Sequence, residues 1–280
     1  MTEEKDFSEI LYINQMTPMS DILSQVIFEN NTELVEYIVR LLTRINNLKI
    51  VKVEVQKTIP STSAFRSARL DVYALDDKGT RYNIEIENNI RNATPDRALF
   101  YLSMIFSHSI KKGIKKIKLK PAYIIFITKE DYFKQGKPLY HFTISDNKLH
   151  LSLSKQTNII YLNLNNKTDK RLLDFQHDFL CSDPNEMRVD VIRRSVHYYK
   201  ATKEGVSKMC EISRQIYNDG KADGIKIGKA NGIMIGQIKS YADLINKKII
   251  TINQALSSLN MSIEDFLKYS SQYGITINNR

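Results

Sequence analysis

The chain has 280 residues, of which 42% are hydrophobic and 26% are charged, and its formal net charge is +10. This composition excludes a disordered or disulfide-stapled protein, because apolar residues are plentiful and the only cysteines are Cys181 and Cys210. Their spacing does not fit a zinc site, and the apolar runs are too short to span a membrane. We expect a cytoplasmic protein of two units, whose basic charge indicates either a polyanionic partner or a solvated surface.

Helix and strand patterns follow one another through the first part of the chain. Apolar residues recur every three or four positions over 21–42, which predicts one or two amphipathic helices. Strand-like runs follow at 50–55, 69–75 and 81–87. The next helix is predicted to begin at Thr94, the N-cap residue before a proline.

Two further apolar runs, at 122–128 and 159–164, are typical of strands buried in a sheet. The order of helix, three strands, helix and strand predicts an α/β fold with a mixed sheet flanked by helices. We place this core within residues 1–185. A lysine-rich stretch at 111–120, with six lysines, is interpreted either as a phosphate-facing surface or as a solvated one.

The C-terminal region, residues 186–280, is predicted to be helical, with a long helix over 189–217 and a glycine repeat over 218–238. Five glycines lie four residues apart from Gly220 to Gly236. Each costs roughly 1 kcal/mol in a helix relative to alanine, so a helix here requires close packing, whereas a flexible spacer does not. We favour a helix packed on a second copy of the chain, wrapped right-handedly, and hence a homo-oligomer.

Two capping boxes, at 251–254 and 262–265, predict a terminal helical hairpin. A helix-turn-helix that contacts DNA would have the same pattern. Its second helix, however, has few basic residues besides Lys268, so a hairpin that serves packing is the preferred interpretation.

Residues 69–87 are predicted to form a β-hairpin whose register follows from its turn. A three-residue turn with Gly79 in the left-handed position sets Asp71 opposite Glu85. A two-residue turn would set Asp71 opposite Ile86 and mix the polar and apolar faces, so the pattern selects the three-residue turn.

Side-chain alternation then gives the hairpin two different faces. One face is apolar and is expected to contain Leu70, Val72, Ala74, Tyr82, Ile84 and Ile86. The other face is polar and is expected to contain Arg69, Asp71, Tyr73, Asn83, Glu85 and Glu87. The same register pairs Arg69 with Glu87.

Asp71 and Glu85 are candidate metal ligands. Carboxylates that lie directly opposite each other repel, and a cation offsets this repulsion. Hard oxygen ligands without a nearby histidine or cysteine suit Mg²⁺ or Mn²⁺ rather than zinc. An acidic, solvent-facing hairpin would have the same sequence pattern.

The hairpin also resembles a known nuclease signature. Arg-Leu-Asp-Val-Tyr at 69–73 and Tyr-Asn-Ile-Glu-Ile-Glu at 82–87 are similar to the Rpn (recombination-promoting nuclease) and transposase-31-like branch of the PD-(D/E)XK nuclease superfamily. The similarity extends from about Met19 to the C-terminus and includes a basic-aromatic helix at 93–104. It implies a restriction endonuclease-like fold over 1–185 and a metal-dependent DNA endonuclease linked to recombination or mobile elements.

By position, the resemblance implies that Asp71 is the metal-binding aspartate and that Glu85 is the glutamate of the family's ExK or ExQ element. Glu87 departs from that element, because the family usually has lysine or glutamine there. Glu87 would act as a general base or as a ligand of a second metal. Gln56, on the preceding strand, is not expected to replace the missing group.

Three further residues match family positions. Arg97 and Tyr101 match the basic-aromatic helix and imply contacts with DNA phosphates, although core packing would equally explain Tyr101. Asp21 matches an aspartate of the first helix, and an N-cap role is the alternative. These features predict Mg²⁺- or Mn²⁺-dependent hydrolysis of double-stranded DNA. The competing interpretations are a catalytically impaired nuclease fold that binds DNA, and an oligomeric scaffold.

Overall fold

The computed structural model describes residues 12–61, 67–110, 113 and 115–277. The chain divides into two compact units, of which the first ends at Ile212 and the second begins at Ser213. This boundary lies beyond the predicted one at residue 185. The difference arises because a helix at Asp190–Ala201 packs on a helix at Asp21–Phe28 and so belongs to the first unit.

The described part of the first unit is built on a six-stranded mixed sheet. Its strands are β1 (Ile50–Ile59), β2 (Ala68–Asp76), β3 (Arg81–Glu87), β4 (Ala122–Thr128), β5 (Leu139–Ser145) and β6 (Ser152–Asn163). Its helices are α1 (Asp21–Phe28), α2 (Thr32–Thr43), α3 (Pro95–Ser109), α4 (Leu173–Leu180) and α5 (Asp190–Ala201). The strand order is β1-β2-β3-β4-β6-β5, with β3, β4 and β6 parallel and the other neighbours antiparallel. The predicted fold class is confirmed.

Two local predictions for this unit need correction. The edge strand β5 was not predicted, because its outer half is exposed and lacks the apolar pattern of a buried strand. The long helix predicted over 189–217 is interrupted at Thr202, whose Oγ1 accepts a hydrogen bond from the N–H of Gly205 at 3.0 Å. A side chain that caps backbone N–H groups in this way favours a new helix start.

Hydrophobic cores cover both faces of the sheet. Ile125 and Ile127 of β4 belong to one core, which includes residues of α1, α2, α4 and α5. Ile124 and Phe126 belong to the other core, which includes residues of α3. Alternate residues of one strand are therefore buried on opposite faces, as expected for a strand covered on both sides.

The alternation predicted for β2 is interrupted next to Asp71. Val72 and Ala74 belong to the first core, as expected, but Leu70 belongs to the second. The change of face coincides with Gln56 of β1, which has a φ of +50°. A left-handed conformation of this kind costs roughly 1–2 kcal/mol in a residue other than glycine.

The second unit is helical throughout its regular structure. The long helix α6 (Lys203–Asn246) begins in the first unit and is followed by α7 (Ile252–Leu259) and α8 (Ile263–Gln272). The capping box at Thr251 is confirmed, and Ser262 caps α8. A small core around Ile238 and Phe266 joins the terminal hairpin to the end of α6.

The glycine repeat is helical, which excludes the flexible-spacer alternative. All residues from 214 to 233 are exposed to solvent. Apart from the neighbouring backbone of the helix itself, a methyl group added at any glycine from Gly220 to Gly236 would meet no described atom within 4 Å. The described residues therefore provide no packing that would offset the cost of glycine in a helix.

Candidate active site

The turn of the β2–β3 hairpin has the predicted geometry. Gly79 has a φ of +83°, and the N–H of Asp76 donates to the carbonyl oxygen of Thr80 at 3.1 Å. Val72 lies opposite Ile84, as the three-residue turn requires. The predicted register is confirmed.

Carboxylates replace the regular backbone pairing beyond Val72 and Ile84. The N–H of Asp71 donates to Glu85 Oε1 at 3.2 Å, and the N–H of Ile86 donates to Asp71 Oδ2 at 3.2 Å. Asn83 Nδ2 also donates to Glu85 Oε1, at 2.9 Å. Each carboxylate is therefore fixed by a backbone group of the facing strand.

These carboxylates are removed from water to an unusual extent. Glu85 is fully buried and Glu87 is 8% exposed, whereas Asp71 is half-buried. Burial, together with the charge of Asp71, raises the pKa of Glu85 to about 7. Burial also raises the pKa of Asp71. Raised pKa values indicate that the surroundings do not fully neutralise the cluster.

Arg97 provides the positive charge nearest to this cluster. Its guanidinium donates hydrogen bonds to both Glu85 and Glu87, and its Nε donates to the hydroxyl of Tyr101 at 2.8 Å. Thr94, the N-cap of α3, accepts the N–H of Arg97 and so fixes the start of the helix that carries it. The recorded β2–β3 pairing runs from Val72 to Leu75, so the predicted position of Arg69 opposite Glu87 lies beyond it and stays a prediction. The side-chain partner of Glu87 is Arg97.

The predictions for Asp21 and Tyr101 have different outcomes. Asp21 is the first residue of α1 and follows the N-cap position of Ser20, so the N-cap interpretation is wrong. Its charge contributes to the raised pKa of Asp71, which places Asp21 within electrostatic range of the cluster. Tyr101 is 6% exposed and is therefore also part of the core, as the alternative interpretation expected.

Sequence reasoning did not identify two residues that contact the carboxylates. Asn83 was placed on the polar face, but its hydrogen bond to Glu85 was not foreseen. Gln56 was considered only as a replacement for the group missing at position 87, and its approach to Asp71, with Nε2 3.5 Å from Oδ1, was not predicted. Gln56 lies opposite Asp71 in the β1–β2 pairing, which only the structure shows, and no strand pattern predicts its positive φ.

The described lysines of the lysine-rich stretch precede the end of β4 that is remote from the carboxylates. Within this stretch, residues 111, 112 and 114 lie outside the described residues, and the described lysines precede β4. The first residue of β4, Ala122, lies beside Arg81, whereas its last residue, Thr128, lies beside Glu87. The described lysines therefore precede the end of β4 that lies away from Glu87.

The donor chemistry of the site fits a divalent cation. Asp71 and Glu85 offer hard oxygen ligands, and the guanidinium of Arg97 forms ion pairs with Glu85 and Glu87. In the part of the chain that the structure describes, no three acidic, histidine or cysteine side chains converge closely enough to hold a metal. Asp71 and Glu85 are thus a two-residue candidate set, and Glu87 is engaged by Arg97.

An antiparallel hairpin carrying Asp71 and Glu85, followed by a helix and a parallel strand, defines a nuclease fold of the PD-(D/E)XK class. The family model described as PD-(D/E)XK nuclease family transposase matches residues 24–176, and the chain belongs to this family. No curated protein and no solved structure matches the chain. No helix among the described residues is long and apolar enough to cross a membrane.

Proposed function

We propose that this protein is an endonuclease that hydrolyses phosphodiester bonds of double-stranded DNA with the help of Mg²⁺ or Mn²⁺. The observation that carries the proposal is the pair of the fully buried Glu85 and the half-buried Asp71, where two carboxylates replace the backbone pairing of a hairpin. Buried carboxylates with raised pKa values are unfavourable for stability alone and are characteristic of functional sites. The net charge of +10 supports a polyanionic substrate.

In this proposal Asp71 and Glu85 hold the cation. When bound, a divalent cation lowers the pKa of water and offsets charge on the phosphate. Arg97 leaves Glu85 for the phosphate and remains anchored by Glu87 and Tyr101. Glu87 then serves mainly to hold Arg97, which supplies the positive charge that lysine provides in the usual family element. Tyr101 orients the guanidinium through its hydroxyl.

The transposase family supports a role in DNA breakage linked to recombination or mobile elements. Family membership supports this role, whereas the arrangement of the carboxylates supports only the hydrolytic chemistry.

Plasmid cleavage in the presence of Mg²⁺ tests the catalytic proposal. Asp71→Asn and Glu85→Gln should each lower the rate by about 10³-fold, equivalent to roughly 4 kcal/mol of transition-state stabilisation. Asp77→Asn is the matched control, because Asp77 lies exposed in the turn of the same hairpin and its replacement removes the same charge. A chelator should abolish cleavage by the wild type.

The possible results distinguish the competing functions. Unchanged cleavage by both site variants would refute the assigned site. DNA binding without metal-dependent cleavage would favour an impaired nuclease fold that retains affinity for DNA. Absence of both binding and cleavage would favour an oligomeric scaffold.

We also propose that α6 associates with a second copy of the chain through its glycine repeat. Five glycines in a solvated helix would cost roughly 5 kcal/mol relative to alanine, so the helix requires a partner for its stability. Three isoleucines of the same segment are more than half exposed, namely Ile225, Ile227 and Ile233. The regular repeat of small and apolar residues is complementary to a copy of itself. Sedimentation should show an oligomer that is lost on deletion of residues 218–240; a monomer in both cases would contradict the proposal.

A further inference from the structure

Gln56 has an unusual backbone conformation in the middle of a strand. Its φ is +50°, although β1 continues as a strand to Ile59. The pairing with β2 is the same on both sides of it, with Val55 opposite Val72 and Lys57 opposite Leu70. No residue has been inserted, so this is not a bulge that accommodates an extra residue. Within β1 only Gln56 has a positive φ, and one residue of β2 faces it across the pairing.

The facing residue is Asp71. Its neighbours Leu70 and Val72 are both buried, but in the cores on opposite faces of the sheet. In a regular strand these two side chains would point to the same face. The irregular backbone opposite Asp71 therefore coincides with a changed orientation of β2 at the position of this carboxylate.

The side chain of Gln56 also approaches Asp71. Its Nε2 lies 3.5 Å from Asp71 Oδ1, while Asp71 Oδ2 accepts the N–H of Ile86. Each oxygen of Asp71 thus has one donor, and the two donors come from different neighbouring strands. The contact with Gln56 is long for a hydrogen bond and is at the distance where a small movement of either side chain strengthens or breaks it.

The charged neighbours of Gln56 on β1 are engaged elsewhere. Lys57 Nζ donates to Glu54 at 2.7 Å and lies 3.7 Å from the centre of the Tyr73 ring. Neither Glu54 nor Lys57 therefore competes with Gln56 for the carboxylate of Asp71.

We propose that Gln56 is a positioning residue, whose left-handed backbone and side-chain amide orient Asp71 for binding a divalent cation. The inference rests on the proposed function, because it assumes that Asp71 is a metal ligand. Strained conformations persist where the surrounding structure enforces them, and they concentrate at functional sites. Groups that hydrogen-bond to a metal ligand fix its orientation, and their loss weakens metal binding.

Two variants at Gln56 separate its contribution to metal binding from its contribution to folding. Gln56→Gly removes the amide and relieves the backbone strain, whereas Gln56→Ala removes the amide and keeps the strain. His150→Gly is the matched control, because His150 is also a polar residue with a positive φ, +52°, on an exposed turn. The measurements are Mn²⁺ affinity by calorimetry and the thermal midpoint of the metal-free protein.

We expect both Gln56 variants to bind Mn²⁺ roughly 10- to 100-fold more weakly than the wild type. Gln56→Gly should nevertheless raise the thermal midpoint by about 2 °C, because glycine adopts the left-handed region without strain. His150→Gly should raise the midpoint similarly and leave Mn²⁺ affinity unchanged. Weaker binding by a more stable protein is a result that a purely structural role does not give.

Two results would overturn the inference about Gln56 without overturning the proposed metal site. One is unchanged Mn²⁺ affinity in both Gln56 variants, with Asp71→Asn losing it; the proposed function would then stand. The other is a lower midpoint together with weaker binding in both Gln56 variants, which would mean that Gln56 only supports the strand. Absence of Mn²⁺ binding by the wild type, or unchanged binding by Asp71→Asn, would overturn the inference and the metal site together.

Discussion

The carboxylate cluster and the glycine repeat each cost the folded chain free energy. They differ in whether contacts within the described chain offset that cost. In the cluster, Glu85 is fully buried, and its oxygens accept hydrogen bonds from Asp71, Asn83 and Arg97. In the repeat, the described chain places nothing against the glycines. The cost of burying the carboxylates is partly offset by contacts within the chain, which indicates an internal site. The cost of the glycines is not offset by the described residues, which indicates a surface that requires a partner.

Removal of Arg97 should have the largest effect on stability. It tests most directly whether Arg97 compensates the buried charge of Glu85. Arg97→Met leaves Glu85 buried without its cationic partner, and the free energy of unfolding should fall by about 3 kcal/mol at pH 8 in urea denaturation. Arg194→Met is the matched control, because Arg194 also contacts two carboxylates, Asp190 and Glu33, but all three side chains are exposed. The control should lose much less stability, because water and salt screen exposed ion pairs.

Equal losses in these two variants would contradict the view that Arg97 compensates a buried charge. A double variant, Arg97→Met with Glu85→Leu, should regain much of the lost stability, since it removes the charge that Arg97 neutralises.

A change of pH should have an intermediate effect on the stability of the protein and on its cleavage rate. The pKa of Glu85 is raised from an ordinary value of 4.5 to about 7, so the folded protein retains a proton that the unfolded chain releases. Glu85 therefore adds stability as the pH falls from about 7 towards 4.5, and this contribution is lost as the pH rises through 7. The same proton competes with the cation, so the cleavage rate at limiting Mg²⁺ should fall about tenfold per pH unit below 7.

The profile is measured as initial cleavage rates between pH 5.5 and 8.5. Stability of the metal-free protein over the same range, compared with Glu85→Gln, isolates the contribution of this carboxyl. Rates that do not change between pH 6 and 7 would show that Glu85 is already ionised there and would remove the basis of the prediction.

Substitution within the glycine repeat should have the smallest effect. Gly228→Ala favours the isolated helix by about 1 kcal/mol, but its methyl group would separate two closely packed helices. We expect the dissociation constant of the oligomer to rise about fivefold, equivalent to roughly 1 kcal/mol, in sedimentation equilibrium.

Lys226→Ala is the control for this substitution. At about 100° per residue, Lys226 lies on the side of the helix opposite to the centre of the glycine repeat. It should leave the association unchanged. Tighter association of Gly228→Ala would show that the glycines are not at the contact.

Several features followed from the sequence because they depend on residues that are close together in the chain. Gly79 and the alternation of the flanking residues were enough to predict the hairpin register that brings Asp71 and Glu85 together. Thr94 and Pro95 predicted the start of α3. The family resemblance at the hairpin was confirmed by the match over residues 24–176.

The tertiary structure decided how the site is completed. Arg97 was expected to face phosphate, but the packing of α3 against the sheet brings it to Glu85 and Glu87. The approach of Gln56 to Asp71 was not predicted, because it depends on the positive φ of Gln56 and on the pairing of β1 with β2. A local pattern specifies the face on which a side chain lies, whereas its partner depends on how elements far apart in the sequence pack together.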